Sequence, residues 1–134
     1  MIRQAVAVLV MAIASPAVAQ GRAPTPEFLV KANFQEIMAR RFVDICDGIA
    51  FDHNGYQRHI RATLAQFSDR KINTRNLKNR YAPVPSSRYQ RYVDAFATSH
   101  NLEADPGQIA MCSAARVEAQ SRTMIGQMLK LETE

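Results

Sequence analysis

The sequence is poor in the residues from which catalytic and metal-binding motifs are usually built. It has three histidines, two cysteines and five glycines, and none of these types forms a cluster. It contains no glycine-rich phosphate loop, no Gly-x-Ser-x-Gly turn and no His-Glu-x-x-His helix. A Cys-x-x-Cys-His haem motif is also missing, and two separated cysteines cannot by themselves hold a structural zinc ion. We therefore predict no catalytic residue, no metal site and no cofactor.

Two pairs of charged residues are the remaining candidates for chemistry. Asp44 and Asp47 lie three residues apart in a predicted helix, where a solvated polar edge explains them without catalysis. Arg116 and Glu118 lie in the last predicted helix, and an enzyme or enzyme accessory with a cleft near them stays open as an alternative. Residues two apart on a helix do not share a face, which counts against a paired catalytic role.

Long apolar runs are also missing, with one exception near the first residue. Arg3 precedes an apolar run over residues 5–14, which is followed by a Ser-Pro pair and then by Ala-Val-Ala at residues 17–19. This order is typical of a secretory signal peptide. The run is well short of the ~20 residues that span a bilayer. We predict a signal peptide over residues 1–19, cleaved after Ala19. A single exported domain over residues 20–134 follows, without a transmembrane segment, in the periplasm or outside the cell.

Export changes the interpretation of the two cysteines. In an oxidising compartment, Cys46 and Cys112 most simply form one disulfide. A catalytic cysteine would need an activating histidine, and no histidine lies near Cys112 in the sequence. The chain between the two cysteines is long, so the chain-entropy model assigns the bridge about 4 kcal/mol of stability.

Apolar residues recur at three-four spacing through most of the chain, and no convincing period-two run occurs. The spacing predicts helices over residues 27–51, 56–67, 73–81, 86–101 and 106–131. It places Ile37, Leu64 and Val93 on the buried faces of their helices. Asn101, which tolerates the left-handed conformation, is the predicted end of the fourth helix. An Asn-Gly turn before residue 56 separates the first two helices. The predicted fold is all-α, a small bundle of four to five helices with the disulfide joining the first and last long helices.

Three positions carry more specific local predictions. Thr25 and Asp105 each precede a proline and are predicted to cap the first and last helices. Gly126 lies inside the last predicted helix, where glycine costs roughly 1 kcal/mol relative to alanine. We therefore expect another helix to pack closely against Gly126.

Positive charge is concentrated in residues 56–92, which we call the basic segment. It carries nine Lys and Arg residues against one acid, Asp69, and it also contains all four tyrosines. Basic residues interleaved with aromatic rings suit an anionic partner, because guanidinium groups bind phosphate or carboxylate and rings stack. The candidate binding residues are Arg58, Arg61, Arg75, Lys78, Arg80, Arg88 and Arg91. The alternative is a solvated face whose tyrosines point into the core.

The two cysteine helices resemble those of an uncharacterised family of small exported alphaproteobacterial proteins, classed as a domain of unknown function. The resemblance lies in the signal peptide, in Cys46 of the first helix and in a pattern along the last helix: Cys112, Arg116, Glu118 and Ile125-Gly126. It implies an α-helical domain with one disulfide. It implies no reaction, because the family has no assigned activity.

The sequence thus predicts a non-enzymatic periplasmic or secreted helical protein. The expected partner of its basic segment is an anionic envelope component, such as a lipid headgroup or lipopolysaccharide, or an acidic protein. Nucleic acid is less accessible in that compartment. Besides the enzyme alternative, a small envelope stress protein stays open, with an apolar surface that acid or reduction of the disulfide would release.

Overall fold

The computed structural model describes residues 21–133, so the predicted signal peptide, residues 1–19, lies outside the described residues. Five α-helices follow one another: α1 Glu27–Ile45, α2 His53–Asp69, α3 Leu77–Arg80, α4 Ser86–Ser99 and α5 Gln108–Ser121. A 3-10 helix, Gly126–Met128, and two short strands, β1 Ile49–Phe51 and β2 Leu129–Leu131, complete the described part of the chain. The predicted mainly helical fold is confirmed.

The predicted disulfide is also confirmed. Cys46 and Cys112 are bonded, with their Cα atoms 5.5 Å apart, and the bridge joins the end of α1 to the second turn of α5. Both cysteines are buried in one apolar core with Phe42, Ala115 and Met128, which are fully inaccessible to solvent. The first and last helices are therefore held together by a covalent bond and by the packing around it.

The first helix ends earlier than predicted. It stops at Ile45, and Cys46 has extended backbone angles, φ −112° and ψ 120°. Gly48, with φ +76°, then turns the chain into β1, which pairs antiparallel with β2 in the register Ile49 to Leu131 and Phe51 to Leu129. The prediction of a continuous helix to residue 51 was wrong because strands of three residues are too short to show an alternating pattern.

The second helix begins earlier than predicted, and the expected Asn-Gly turn is not formed. Asp52 caps α2, since its Oδ1 accepts a hydrogen bond from the Gly55 backbone N–H at 2.9 Å. Gly55 lies in the first turn of α2, where a Cβ atom would be 1.6 Å from the carbonyl oxygen of Gln127. Glycine is required here because two backbone segments touch, and not because the chain turns.

The last helix also ends early, at Ser121. Arg122 follows in the left-handed conformation with φ 51°, and the chain folds back over α5 through the 3-10 helix. A Cβ atom at Gly126 would be 1.8 Å from the carbonyl oxygen of Glu118. The close packing expected at Gly126 is present, but Gly126 lies in the returning segment and packs against the last turn of α5, not against a separate helix.

The two predicted side-chain caps are wrong. The Thr25 hydroxyl donates to the carbonyl oxygen of Ala82 at 3.0 Å, so it ties the start of α1 to the chain before α4. At α5 the capping position is Gly107, which has no side chain to cap with. In contrast, Asn101 takes the left-handed conformation, φ 51°, that was expected where α4 ends.

Three residues predicted to face inward are exposed at the edges of their helices. Ile37 of α1, Leu64 of α2 and Val93 of α4 keep 53%, 43% and 41% of their surface accessible. Their helices bury the centre of each apolar stripe, as Phe42 and Phe67 show, but no further element of the described chain covers its edge. A bundle this small leaves part of each amphipathic face in contact with solvent.

Candidate functional site

The seven predicted binding residues lie in three places and not on one patch. Arg58 and Arg61 lie in the first half of α2, and Arg88 and Arg91 lie in the first half of α4. Arg75, Lys78 and Arg80 lie in the connection that contains α3. Eleven residues of helix separate Arg58 from the end of α2 at Asp69, a distance of about 17 Å at 1.5 Å per residue. The cations of the basic segment are therefore carried on three different elements of the fold.

The connection after α2 holds the densest group of these cations. Residues 70–80, which we call the basic loop, contain five cations and no acid: Arg70, Lys71, Arg75, Lys78 and Arg80. All five residues are exposed to solvent. Among the ion pairs of the described residues, none involves a member of the basic loop. Its charge is therefore not offset by an ion pair within residues 21–133.

Backbone hydrogen bonds and side-chain contacts hold the basic loop in place. Lys71 takes a left-handed conformation, φ 55°, and the next N–H, that of Ile72, donates to the carbonyl oxygen of Phe67 at 2.9 Å. The Arg75 N–H donates to Asn73 Oδ1 at 2.9 Å, and Arg80 donates from its guanidinium to the Asn73 carbonyl oxygen. Asn73 thus holds two arginines, Arg75 through its backbone and Arg80 through its guanidinium group.

Arg22 lies beside the same surface, although no sequence pattern predicted this. The Ala23 N–H donates to the carbonyl oxygen of Arg80 at 3.3 Å, and the Ala82 N–H donates to the carbonyl oxygen of Ala23 at 2.8 Å. This short parallel bridge lays the chain before α1 along the end of the basic loop. Arg22 is exposed there, and pairing over such a long sequence separation has no local pattern that could have revealed it.

Arg88 and Arg91 are engaged within the protein. Both guanidinium groups contact the Glu27 carboxylate, the Arg88 Nη2 atom at 2.8 Å, and the Tyr92 hydroxyl donates to the same carboxylate. The hydrogen bond from Tyr92, followed by that from Arg88, lowers the pKa of Glu27 from its usual 4.5 to about 2. Burial, and then the hydrogen bond to Glu27, raises the pKa of Tyr92. This cluster ties α4 to the first turn of α1.

The tyrosines of the basic segment mostly serve the core. The Tyr92 ring stacks on Phe34, with ring centroids 5.6 Å apart, and the Tyr56 ring lies 5.4 Å from that of Phe51. Tyr89 packs against the same core. These three rings therefore pack against the core with part of their surface exposed, which is close to what the solvated-face alternative expects.

Arg116 and Glu118 do not form a common site. Glu118 is buried, and its carboxylate accepts hydrogen bonds from Thr123 Oγ1 and from His100 Nε2, the latter at 2.6 Å. Arg116 is exposed and directs its guanidinium towards the carbonyl oxygen of Asp47 at 3.4 Å. The sequence missed the pairing of His100 with Glu118, which holds the end of α4 against α5.

An apolar groove of about 170 Å³ lies between α1 and α2. Its apolar lining includes Leu29, Ile60, Leu64, Phe67 and Leu77, the last of which belongs to the basic loop. We call this depression the groove. It was not predicted, because Leu64 was expected to be covered and Leu77 was not assigned to any face.

His59 lies in the lining of the groove and is buried. Its Nε2 atom is 3.1 Å from the carbonyl oxygen of Ala32. A carbonyl oxygen only accepts hydrogen bonds, so Nε2 carries the proton and Nδ1 is an acceptor in the neutral ring. Nδ1 is enclosed and has no partner within the described chain. Nδ1 is therefore a polar position in a groove wall that is otherwise mainly apolar.

No family model, no curated protein and no solved structure matches this chain. The resemblance to the exported alphaproteobacterial family therefore stays a prediction, and the function must be argued from the geometry of this chain alone.

The described residues contain neither a metal-binding cluster nor a membrane-spanning helix. No group of three or more His, Cys, Asp or Glu side chains within residues 21–133 is placed to hold a metal ion. Over the same residues, no helix has both the length and the apolar character needed to cross a bilayer. Among the described residues, the basic loop and the groove beside it bring cations without ion-pair partners next to an apolar depression.

Proposed function

We propose that the protein is a non-enzymatic binding module of the cell envelope that holds an anionic component through its basic segment. Within that segment, the anionic component binds mainly to the basic loop. The observation that carries it is the set of five exposed cations in residues 70–80, none of which forms an ion pair with a described residue. Arg22, laid alongside by the bridge at Ala23, adds a sixth.

The charges that are already paired elsewhere support this choice of surface. Arg88 and Arg91 share the Glu27 carboxylate, and Arg40 pairs with Glu36 at 3.0 Å, so an incoming anion would have to compete with these acids. No acid within residues 21–133 forms an ion pair with a cation of the basic loop. Arginine offers a planar fork of donors that matches phosphate and carboxylate oxygens, and three of the five loop cations are arginines.

The hydrogen bonds that fix the loop favour binding in a second way. Association is opposed by the entropy lost when flexible segments become ordered. In the basic loop, the bonds from Ile72 to Phe67 and from Arg75 and Arg80 to Asn73 already restrict the backbone and one arginine side chain. A ligand would therefore meet a surface whose shape is largely set before it arrives.

The proposal is tested by co-sedimentation of the oxidised protein with vesicles that contain an anionic phospholipid, and with vesicles of neutral phospholipid alone. We expect binding to the anionic vesicles only, and a steep loss of binding as salt is raised, because the Debye length falls to about 8 Å at physiological ionic strength. Reversal of three loop cations, Arg75→Glu, Lys78→Glu and Arg80→Glu, is expected to abolish the binding.

A matched variant controls for the overall change in charge. Arg41→Glu, Arg116→Glu and Lys130→Glu change the net charge by the same amount at exposed positions outside the basic segment. This control is expected to retain most of the binding. Equal losses in the two triple variants would show that only net charge matters, and retention of binding by the loop variant would refute the proposal.

The envelope location has its own test, independent of any ligand. Expression of the full chain in a bacterial host with an active secretion pathway, followed by intact mass measurement, is expected to give a chain that starts at Gln20. That chain should also lack the two hydrogen atoms lost on forming the disulfide. A full-length chain with two free thiols would contradict this part of the proposal.

A further inference from the structure

The groove and the basic loop are physically continuous. Leu77 belongs to α3 inside the basic loop, and its side chain lines the groove. Lys78 follows it in the same helical turn. At the same end, the Ile72 N–H donates to the carbonyl oxygen of Phe67, which also lines the groove, so the loop starts at the groove's edge. Apolar surface and positive charge therefore adjoin each other.

The two ends of the groove differ in charge. At the end near Leu77 the basic loop supplies cations that have no ion-pair partner among the described residues. Glu36 also lines the groove, but it lies along α1 beyond Asn33, and its carboxylate is already paired with Arg40 at 3.0 Å. A molecule in the groove would thus find an attractive site for a negative group only at the loop end.

The size of the groove limits the apolar part of a ligand. Its volume is about 170 Å³, similar to an engineered cavity of roughly 150 Å³ that accepts a benzene molecule. Burial of each methylene group strengthens binding about fourfold, so a chain of six carbons gives a large gain over the headgroup alone. Leu64, which is 43% exposed in the groove wall, would lose contact with water on binding.

We propose that the groove and the basic loop together bind an anionic amphiphile, with an apolar chain of about six carbons in the groove and its phosphate group on the loop cations. The inference rests on the proposed function and specifies its ligand: a phosphate-bearing amphiphile and not an acidic protein. An acidic protein would use the basic loop but would have no need of the groove.

The test uses hexyl phosphate, inorganic phosphate and 1-hexanol, each titrated into the oxidised protein and followed by amide chemical shifts in NMR spectra. Hexyl phosphate is expected to bind at least about tenfold more tightly than either inorganic phosphate or hexanol. Its largest shifts should fall on residues of the groove and of the loop together, including Ile60, Leu64, Leu77 and Lys78.

Two single variants distinguish a loss of ligand binding in the groove from a general loss of stability. Leu64→Glu places a charge in the groove wall, and Val93→Glu does the same on α4, outside the groove. The two parent residues are similarly exposed, at 43% and 41%, so neither change should prevent folding. Leu64→Glu is expected to remove the advantage of hexyl phosphate over inorganic phosphate, whereas Val93→Glu should leave that advantage within about twofold of the native value.

The outcomes distinguish this inference from the proposed function. Equal affinity for hexyl phosphate and inorganic phosphate, with binding to anionic vesicles intact, would overturn the role of the groove and leave the basic loop as the whole site. Hexanol that binds as tightly as hexyl phosphate would overturn the coupling of the groove to the cations. Loss of the hexyl advantage in Val93→Glu as well as in Leu64→Glu would also refute the groove as the site.

Discussion

The disulfide between α1 and α5 allows the most quantitative prediction. Cys46→Ala and Cys112→Ala together remove the bridge and leave both positions apolar. Cys46 and Cys112 are 5% and 7% exposed and lie in the main core, so neither alanine places a polar group in an apolar environment. The change therefore tests the covalent bond more than the chemistry of its surroundings.

The expected loss follows from the length of chain that the bridge closes. The two cysteines are 66 residues apart in sequence, and the chain-entropy model gives a stabilisation of about 4 kcal/mol for a loop of this length. Domains of this size have unfolding free energies of about 5–15 kcal/mol, so the bridge supplies a large fraction of the total. The urea midpoint should fall by about 1–4 M, given slopes of about 1–3 kcal/mol per M.

Urea unfolding followed by far-ultraviolet circular dichroism measures this loss. Native protein held fully reduced is the control, because it also lacks the bridge but keeps both sulfur atoms in the core. We expect the reduced protein and the double variant to be destabilised by similar amounts. A loss below about 1 kcal/mol in both would refute the claim that the bridge constrains the unfolded chain. A loss in the variant alone would assign the effect to packing of the sulfur atoms.

Three further changes test individual contacts. Gly55→Ala should lower the free energy of unfolding by about 3 kcal/mol or more, because its Cβ would lie 1.6 Å from a backbone oxygen. Gly107→Ala is the control: its Cβ would have nothing within 4 Å, so the unfolding free energy should change by less than about 1 kcal/mol. Similar losses for the two variants would contradict the close contact at Gly55. His100→Ala removes the donor 2.6 Å from the buried Glu118 carboxylate and should lower the free energy of unfolding, measured in urea, by about 2 kcal/mol. His100→Gln keeps a donor and should recover part of this loss. No recovery would contradict a stabilising role for this hydrogen bond. Glu27→Gln should lower the melting temperature at neutral pH. The gap in melting temperature between variant and native protein should shrink as pH falls from 4.5 to about 2, since the pKa of Glu27 in the folded protein lies below its usual value. A gap that is constant across this range would show that ionisation of Glu27 is not involved.

The helices and the disulfide could be predicted from the sequence. The helices follow from the spacing of apolar residues, and the disulfide follows from two cysteines in a chain that is predicted to be exported. Three-four spacing placed the centres of the helices, and Cys46 and Cys112 had no other partners available. The sequence was a poor guide to the ends of the helices. β1 and β2 have three residues each, and the close contacts at Gly55 and Gly126 are made with residues that no local pattern brings near.

The candidate site was predicted in part, for a similar reason. Composition alone identified the basic segment, but it could not show that Glu27 engages Arg88 and Arg91 across a long sequence separation. Nor could it show that Leu77 turns from the basic loop into a groove between α1 and α2. Tertiary contacts of this kind decide which charges stay available to a partner. They join residues that are far apart in the sequence, so no local pattern predicts them.

The bridge between Ala23 and Tyr81 has a practical consequence for anyone who purifies or immobilises this protein. Because it lays residues 21–23 along the end of the basic loop, any fusion partner or affinity tag attached ahead of the domain would emerge directly beside that loop. An acidic tag there would act as a tethered competitor for the loop cations. The opposite attachment point follows β2, which pairs with β1 next to the disulfide, and leaves the loop unobstructed.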